Sequence, residues 1–198
     1  KALTKVETSY AAILNPDVEL IESIAEKTKL IFEADLQIAI FGPRVLDNDG
    51  KETYSFRRFY PPQYIFTRYL GFLPTKLKQR MINRYLMVNV SRNKFTYADW
   101  ISGGAMFVRM NAVGKVNKMD DRYFLYMEDV DLCARVWGEG FRVVCFPNVR
   151  LIHDHQRSSH ANPLSGAGKY HLQSLGIFRK KFRLPLFFPP GVKRVFRA

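Results

Sequence analysis

The sequence predicts an α/β fold, a mixed sheet flanked by helices. Short apolar runs stop at turn residues, helical periodicity lies between them, and a strand, helix, strand series is complete by residue 41. Such βαβ-like units build parallel sheets with sites at the carboxyl ends of their strands. The run SYAAIL at 9–14 suits a buried strand ending at Asn15-Pro16, with Asp17 at its exit. Residues 18–34 set Leu20, Ile21, Ile24, Ala25, Leu30 and Ile31 among Glu and Lys. That is an amphipathic helix pattern, with acids early and lysines later as the helix dipole prefers. A second strand follows at 36–41.

Further along, Asp47-Asn48-Asp49-Gly50 is a turn joining two short strands. A stretch rich in Tyr, Phe, Leu and basic residues follows, and Leu77, Met81, Ile82, Tyr85 and Leu86 give its end a helical spacing. Residues 100–108 read as turn then strand and 110–116 as a short helix. Asp129 or Asp131 begins a helix running to Trp137 and stopping at Gly138 or Gly140. A strand at 141–146 ends at Pro147, and a further strand at 149–152 delivers His153 to its edge. Pro163 opens a helix reaching Phe182. The expected organisation is one domain over 1–182, with a basic helical insertion at about 54–98, and a basic aromatic tail at 183–198.

Charge is concentrated rather than spread. The formal net charge is +13, yet residues 54–98 carry nine Lys or Arg and no acid, and residues 169–198 carry eight more with no acid. The remaining fourteen basic and eighteen acidic residues leave the body mildly acidic. The two blocks suit an anionic membrane surface, or a face covered by another subunit. Basic patches with interleaved aromatics are also a nucleic-acid footprint, but no nucleic-acid motif accompanies them and none is expected as a partner. No apolar run reaches the length of a membrane span, so a soluble or membrane-surface protein is expected. Cys133 and Cys145 lack metal or redox spacing and read as reduced core thiols of a cytosolic protein.

Chemistry-bearing residue types gather in the second half. Glu128, Asp129 and Asp131 place three carboxylates within four positions, between the Gly103-Gly104 pair and the histidines His153 and His155. Read alone, a carboxylate at a helix start is either a general base held as the anion by the dipole or an N-cap. Gly103-Gly104 either admits close backbone approach to a ligand or makes a tight turn. Tyr123, Phe124 and Tyr126 offer stacking faces or core packing. His155 and His160 read as loop residues.

Three motifs taken in order carry a resemblance: LNPD at 14–17, WISGGAMFVR at 100–109, and DDRYFLYMEDVDLCARVWGEGFRVVCFPNVRLIH at 120–153. Together they resemble inverting glycosyltransferases of family 2, in particular the rhamnosyltransferase-like branch. The resemblance implies a GT-A (Rossmann-like) fold, a nucleotide-sugar donor and a divalent metal, Mn or Mg. It further implies a lipid-linked or glycan acceptor in cell-envelope polysaccharide synthesis, at the inner face of the cell membrane. Asp129 is thereby the base that takes the acceptor proton, with Glu128 and Asp131 in support. Asp17 occupies the last position of the family's Asp-x-Asp motif, with Asn15 in the first, and His153 matches its downstream metal ligand. Asn15, Asp17, Trp100, Gly103 and Gly104 fall on the donor side, and Arg58 and Tyr126 on the acceptor side, with the Arg57-Arg58 pair and the two basic blocks suited to a polyprenyl diphosphate or anionic headgroups. Family members begin with a segment that forms the nucleobase pocket, so the sequence also predicts a GT-A fold incomplete at its start. A second copy or a partner chain would then complete it. The competing expectation is a non-catalytic remnant or a membrane- or glycan-binding module.

Overall fold

The computed structural model describes residues 2–59, 75–91, 93–153 and 166–184. His155, His160, Pro163, Arg68, Arg92 and residues 185–198 of the expected tail lie outside the described residues.

A six-stranded mixed sheet runs in the order β1-β7-β3-β8-β2, with β5 also paired to β8. Its strands are β1 Tyr10–Leu14, β2 Val18–Leu20, β3 Ile38–Leu46, β5 Thr96–Tyr97, β7 Ala105–Arg109 and β8 Arg142–His153. A separate two-stranded ribbon joins β4 Phe56–Arg57 to β6 Trp100–Ile101. The helices are α1 Ala25–Ala34, α2 Thr75–Tyr85, α3 Met110–Lys115, α4 Glu128–Gly138 and α5 Gly166–Lys181. β3 is a run of mostly apolar, almost wholly buried residues, as befits a central strand covered on both faces. One face is closed by the core under α3, α4 and α5. The other is closed by α1 through the rings of Tyr10, Phe32, Phe41 and Phe107, with neighbouring centroids 4.6–5.2 Å apart.

Several sequence expectations are corrected. The helix expected over 18–34 begins only at Ala25, because residues 18–20 pair antiparallel with the end of β8 as β2. That tertiary pairing overrides the local helical pattern. β1 and β3 do point the same way, but β7 lies between them antiparallel to both, so β1 and β3 are not neighbours. The two strands expected at 141–146 and 149–152 are one strand. At Pro43 the register against β8 jumps, Pro43 facing Phe146 and Arg44 facing Arg150. Pro147 falls in that bulge, where its missing N–H breaks no ladder bond. The helix at 128 is capped by neither aspartate: Met127 occupies the cap position with φ 70° and no side-chain cap bond. The 47–50 turn forms as expected, with Gly50 at φ 75° and Leu46 bridged to Glu52. Cys133 and Cys145 are buried free thiols.

Candidate active site

The site lies where β1 and β8 end. β1 stops at Asn15-Pro16-Asp17, and the chain turns back into β2 with Val18 opposite His153. This register brings Asp17 beside His153, whose Nε2 lies 3.0 Å from Asp17 Oδ1. Asn15 Nδ2 approaches the same ring nitrogen at 3.5 Å. His153 is buried while Asp17 keeps about a third of its side chain exposed, so the pair presents its carboxylate outward.

The Gly103-Gly104 dipeptide ties this pair to the acid run. Gly104 accepts the Asn15 N–H on its carbonyl at 2.9 Å, and a Cβ there would lie 2.7 Å from His153 Cε1. Gly103 donates its N–H to Asp129 Oδ2 at 2.8 Å, and a Cβ there would meet the Asp129 side chain at 3.4 Å. The close approach that glycine permits is therefore at Gly104, against the imidazole, while a Cβ at Gly103 would make ordinary contact with Asp129. Adjacent residues hold the imidazole–carboxylate pair on one side and Asp129 on the other.

Asp129 also accepts the Val130 N–H on Oδ1 at 2.8 Å. Burial nevertheless pushes its carboxyl above the ordinary aspartate range, against the pull of the Gly103 and Val130 N–H groups and the Arg57 charge. This reverses the expectation that the helix start holds it as a readily formed anion: desolvation outweighs dipole and hydrogen bonds. Glu128 is pushed up to about 7 by burial and then by the Asp129 charge, and its Oε2 is buried without a hydrogen-bond partner. Two carboxylates with elevated affinity for protons are thus adjacent at the head of α4.

Other anticipated residues stand elsewhere. Asp131 is fully buried on another side of α4, held by Arg135 Nε at 2.6 Å, Lys181 Nζ at 2.7 Å and the Tyr123 hydroxyl at 3.1 Å. Trp100 is buried and donates its Nε1–H to the Arg58 carbonyl at 3.0 Å. Arg58 pairs with the buried Asp99 at 3.3 Å. Tyr126 sits three residues before Asp129 with φ 65°, its ring 5.2 Å from that of His171 on α5. Tyr126 and Met127 are consecutive left-handed residues, a backbone state that L side chains adopt at a cost and that gathers at functional sites.

The sequence treats Arg57 and Arg58 as one basic pair, and the structure separates them. The Arg57-Arg58 pair was legible, but strand alternation sends the two side chains to opposite faces, and Arg57 is the one at the site. It lines a recess of about 20 Å³, room for about one water, with Tyr54, Ser55, Ser102 and His153.

The donor set fits a hard or borderline divalent ion in part. Asp17 and His153 supply one carboxylate and one imidazole, a combination suited to Mn or Mg, while Asn15 brings no charge. Among the described residues no three His, Cys, Asp or Glu side chains gather as a metal site. Such an ion would need oxygen ligands from its substrate or from water.

No protein-family model matches the chain. Over 72 residues it is 39% identical to the N-acetylglucosaminyl-diphospho-decaprenol L-rhamnosyltransferase of Mycobacterium tuberculosis, covering 36% of this chain and 24% of that protein. Over 172 residues it is 28% identical to the rhamnosyltransferase WbbL of Escherichia coli, covering 85% of this chain and 60% of that one. The chain thus spans less than two thirds of either relative. Its fold matches the crystal structure of GalNAc-T7 with UDP, GalNAc and Mn2+ at a TM-score of 0.56 and 12% identity, over 94% of this chain and 37% of that one. The fold is GT-A, and the chain is related to the rhamnosyltransferase-like glycosyltransferases of family 2.

Proposed function

We propose that this chain carries the base and metal side of an inverting glycosyltransferase. It would transfer one sugar, rhamnose on the pattern of its relatives, from a nucleotide donor to a lipid-linked or polysaccharide acceptor in cell-envelope glycan synthesis. The observation that carries the reading is the Gly103-Gly104 link, which fixes Asp129 against the Asp17–His153 pair. In an inverting displacement the acceptor oxygen bonds to the anomeric carbon as the bond to the leaving diphosphate breaks, and the diphosphate departs with the electron pair. The acceptor hydroxyl's proton passes to an Asp129 carboxylate oxygen, and an elevated pKa makes that carboxylate the stronger base once ionised. A divalent ion held by Asp17 and His153 would neutralise charge on the diphosphate. Glu128 buttresses Asp129, Asp131 holds the loop, and Tyr126 borders the acceptor approach.

Isothermal titration of the chain with thymidine diphosphate rhamnose tests this directly. Saturable binding that appears with Mn and disappears with EDTA is expected. No metal-dependent binding, whether by the chain alone or joined to a segment supplying the nucleobase pocket, would overturn the reading.

Attachment to the inner membrane face belongs to the same proposal. Among the described residues no helix is long and apolar enough to cross a membrane. α2 carries Lys76, Lys78, Arg80 and Arg84 with no acid, a cationic helix suited to anionic headgroups. Flotation with vesicles containing phosphatidylglycerol should carry the protein upward at low salt. Equal behaviour with neutral vesicles would remove membrane docking.

A further inference from the structure

Arg57 is held in place more firmly than an exposed arginine would be. β4 pairs with β6 so that Arg57 faces Trp100, and the guanidinium carbon lies 5.1 Å from the Trp100 ring centroid and 5.7 Å from that of Tyr85. Its Nε donates to the Tyr54 carbonyl at 3.0 Å and its Nη1 to the Tyr85 hydroxyl at 3.3 Å. Two rings and two hydrogen bonds remove most of the rotamer freedom an arginine loses on binding, so a ligand meets a preorganised cation.

Its location gives the cation a task. The recess it lines runs to His153, and its charge acts on Asp129. An anion at the mouth of that recess lies near the carboxylate that Asp17 sets against His153, a repulsion that a cation offsets. The protein's metal pair contributes one carboxylate, with neutral Asn15 in the companion position, so a divalent ion would be held weakly and a fixed cation nearby adds to the hold on an anion. Ser102 lines the same recess, and its residue type suits phosphate oxygens.

We propose that Arg57 is an anion-binding residue that takes a phosphate oxygen of a diphosphate group at the mouth of the recess it shares with His153. This rests on the glycosyl-transfer reading and extends it: the seat binds diphosphate through a fixed guanidinium as well as through a metal. Two ligands share that chemistry, the nucleoside diphosphate of a donor and the prenyl diphosphate of a lipid-linked acceptor.

Binding of thymidine diphosphate and of farnesyl diphosphate to the full chain, each with Mn and with EDTA, tests the proposal. Arg57→Met should weaken at least one of them tenfold or more in the presence of Mn. Arg57→Lys, which keeps the charge and loses the planar fork, should recover part of that loss. The salt dependence of binding should flatten in Arg57→Met, a change that loosened packing alone would not produce. A loss confined to thymidine diphosphate assigns the seat to the donor, and one confined to farnesyl diphosphate assigns it to the acceptor. Should Arg57→Met and Arg57→Lys both bind both ligands within twofold of the parent, with unchanged melting and salt slope, the proposal fails while the glycosyl-transfer reading stands. If the parent chain binds neither ligand even with Mn, the broader reading fails first.

Discussion

Asp129→Asn should lower kcat by about a hundred- to ten-thousand-fold, the range a positioned general base contributes, while donor affinity changes little. The carboxylate's two oxygens each accept a backbone N–H, from Gly103 and from Val130. An Asn can offer only one acceptor oxygen, so one donor loses its partner at a cost of about 1–3 kcal/mol. A fall in melting temperature is therefore expected as well, and turnover must be measured per folded molecule. The pH profile separates lost chemistry from lost stability. The base works only when ionised, so kcat/KM in the parent should fall as pH drops through the elevated titration of the Glu128–Asp129 pair. The two carboxyls are coupled and the limb belongs to both. Glu128→Gln removes one negative charge beside Asp129, which eases ionisation of Asp129 and should move the acid limb to lower pH. An unchanged limb in Glu128→Gln would show that the two carboxyls do not share it, and full turnover in Asp129→Asn would remove Asp129 as base.

How much of this site the sequence disclosed depends on which interactions are local. The strand at 10–14, the turn bearing Asp17, the Gly-Gly pair and the strand delivering His153 are short-range patterns, and the structure builds each of them. The pairing of Val18 with His153 is not local. Residues 18–20 carry a helical pattern and become strand only because the end of β8 offers them an edge. The roles of Arg57 and Arg58 turn on side-chain direction along a two-residue strand whose existence depends on pairing with β6. The electrostatics of Asp129 misled for a related reason. Dipole and N–H stabilisation are visible in a helix-start pattern, whereas the burial that outweighs them is a property of the assembled fold.

Asp131→Ala is expected to produce the opposite phenotype from Asp129→Asn: a large loss of stability with turnover per folded molecule reduced less than tenfold. The two residues stand about 200° apart around α4 at 100° per residue, which places acids of one run in different surroundings. Asp131 is fully buried and bonded to Arg135, Lys181 and the Tyr123 hydroxyl. Removing one member of a buried charge pair costs about 3–5 kcal/mol, because its partners stay desolvated. Here the lower end is expected. Arg135 keeps its bonds to the carbonyls of Val116 and Lys118, and Lys181 keeps Asp120 at 2.7 Å. A loss of about 3 kcal/mol is still a large share of the roughly 5–15 kcal/mol that holds a domain folded. At about 2–4 °C per kcal/mol for a chain of this size, the melting temperature should fall by roughly 6–12 °C. The smaller kinetic effect has its own route. Lys181 and Tyr123 pin the segment that leads through left-handed Tyr126 and Met127 to Glu128, and Ser174 donates its hydroxyl to the Leu125 carbonyl at 2.8 Å from α5. With Asp131 gone, Ser174 and the Asp120–Lys181 pair still hold that segment, so Asp129 stays in register with Gly103. Thermal melts and single-turnover rates on Asp131→Ala and Asp129→Asn, measured side by side, decide the matter. Collapsed turnover with unchanged melting in Asp131→Ala would mean that Asp131, and not its neighbour two positions earlier, faces the chemistry.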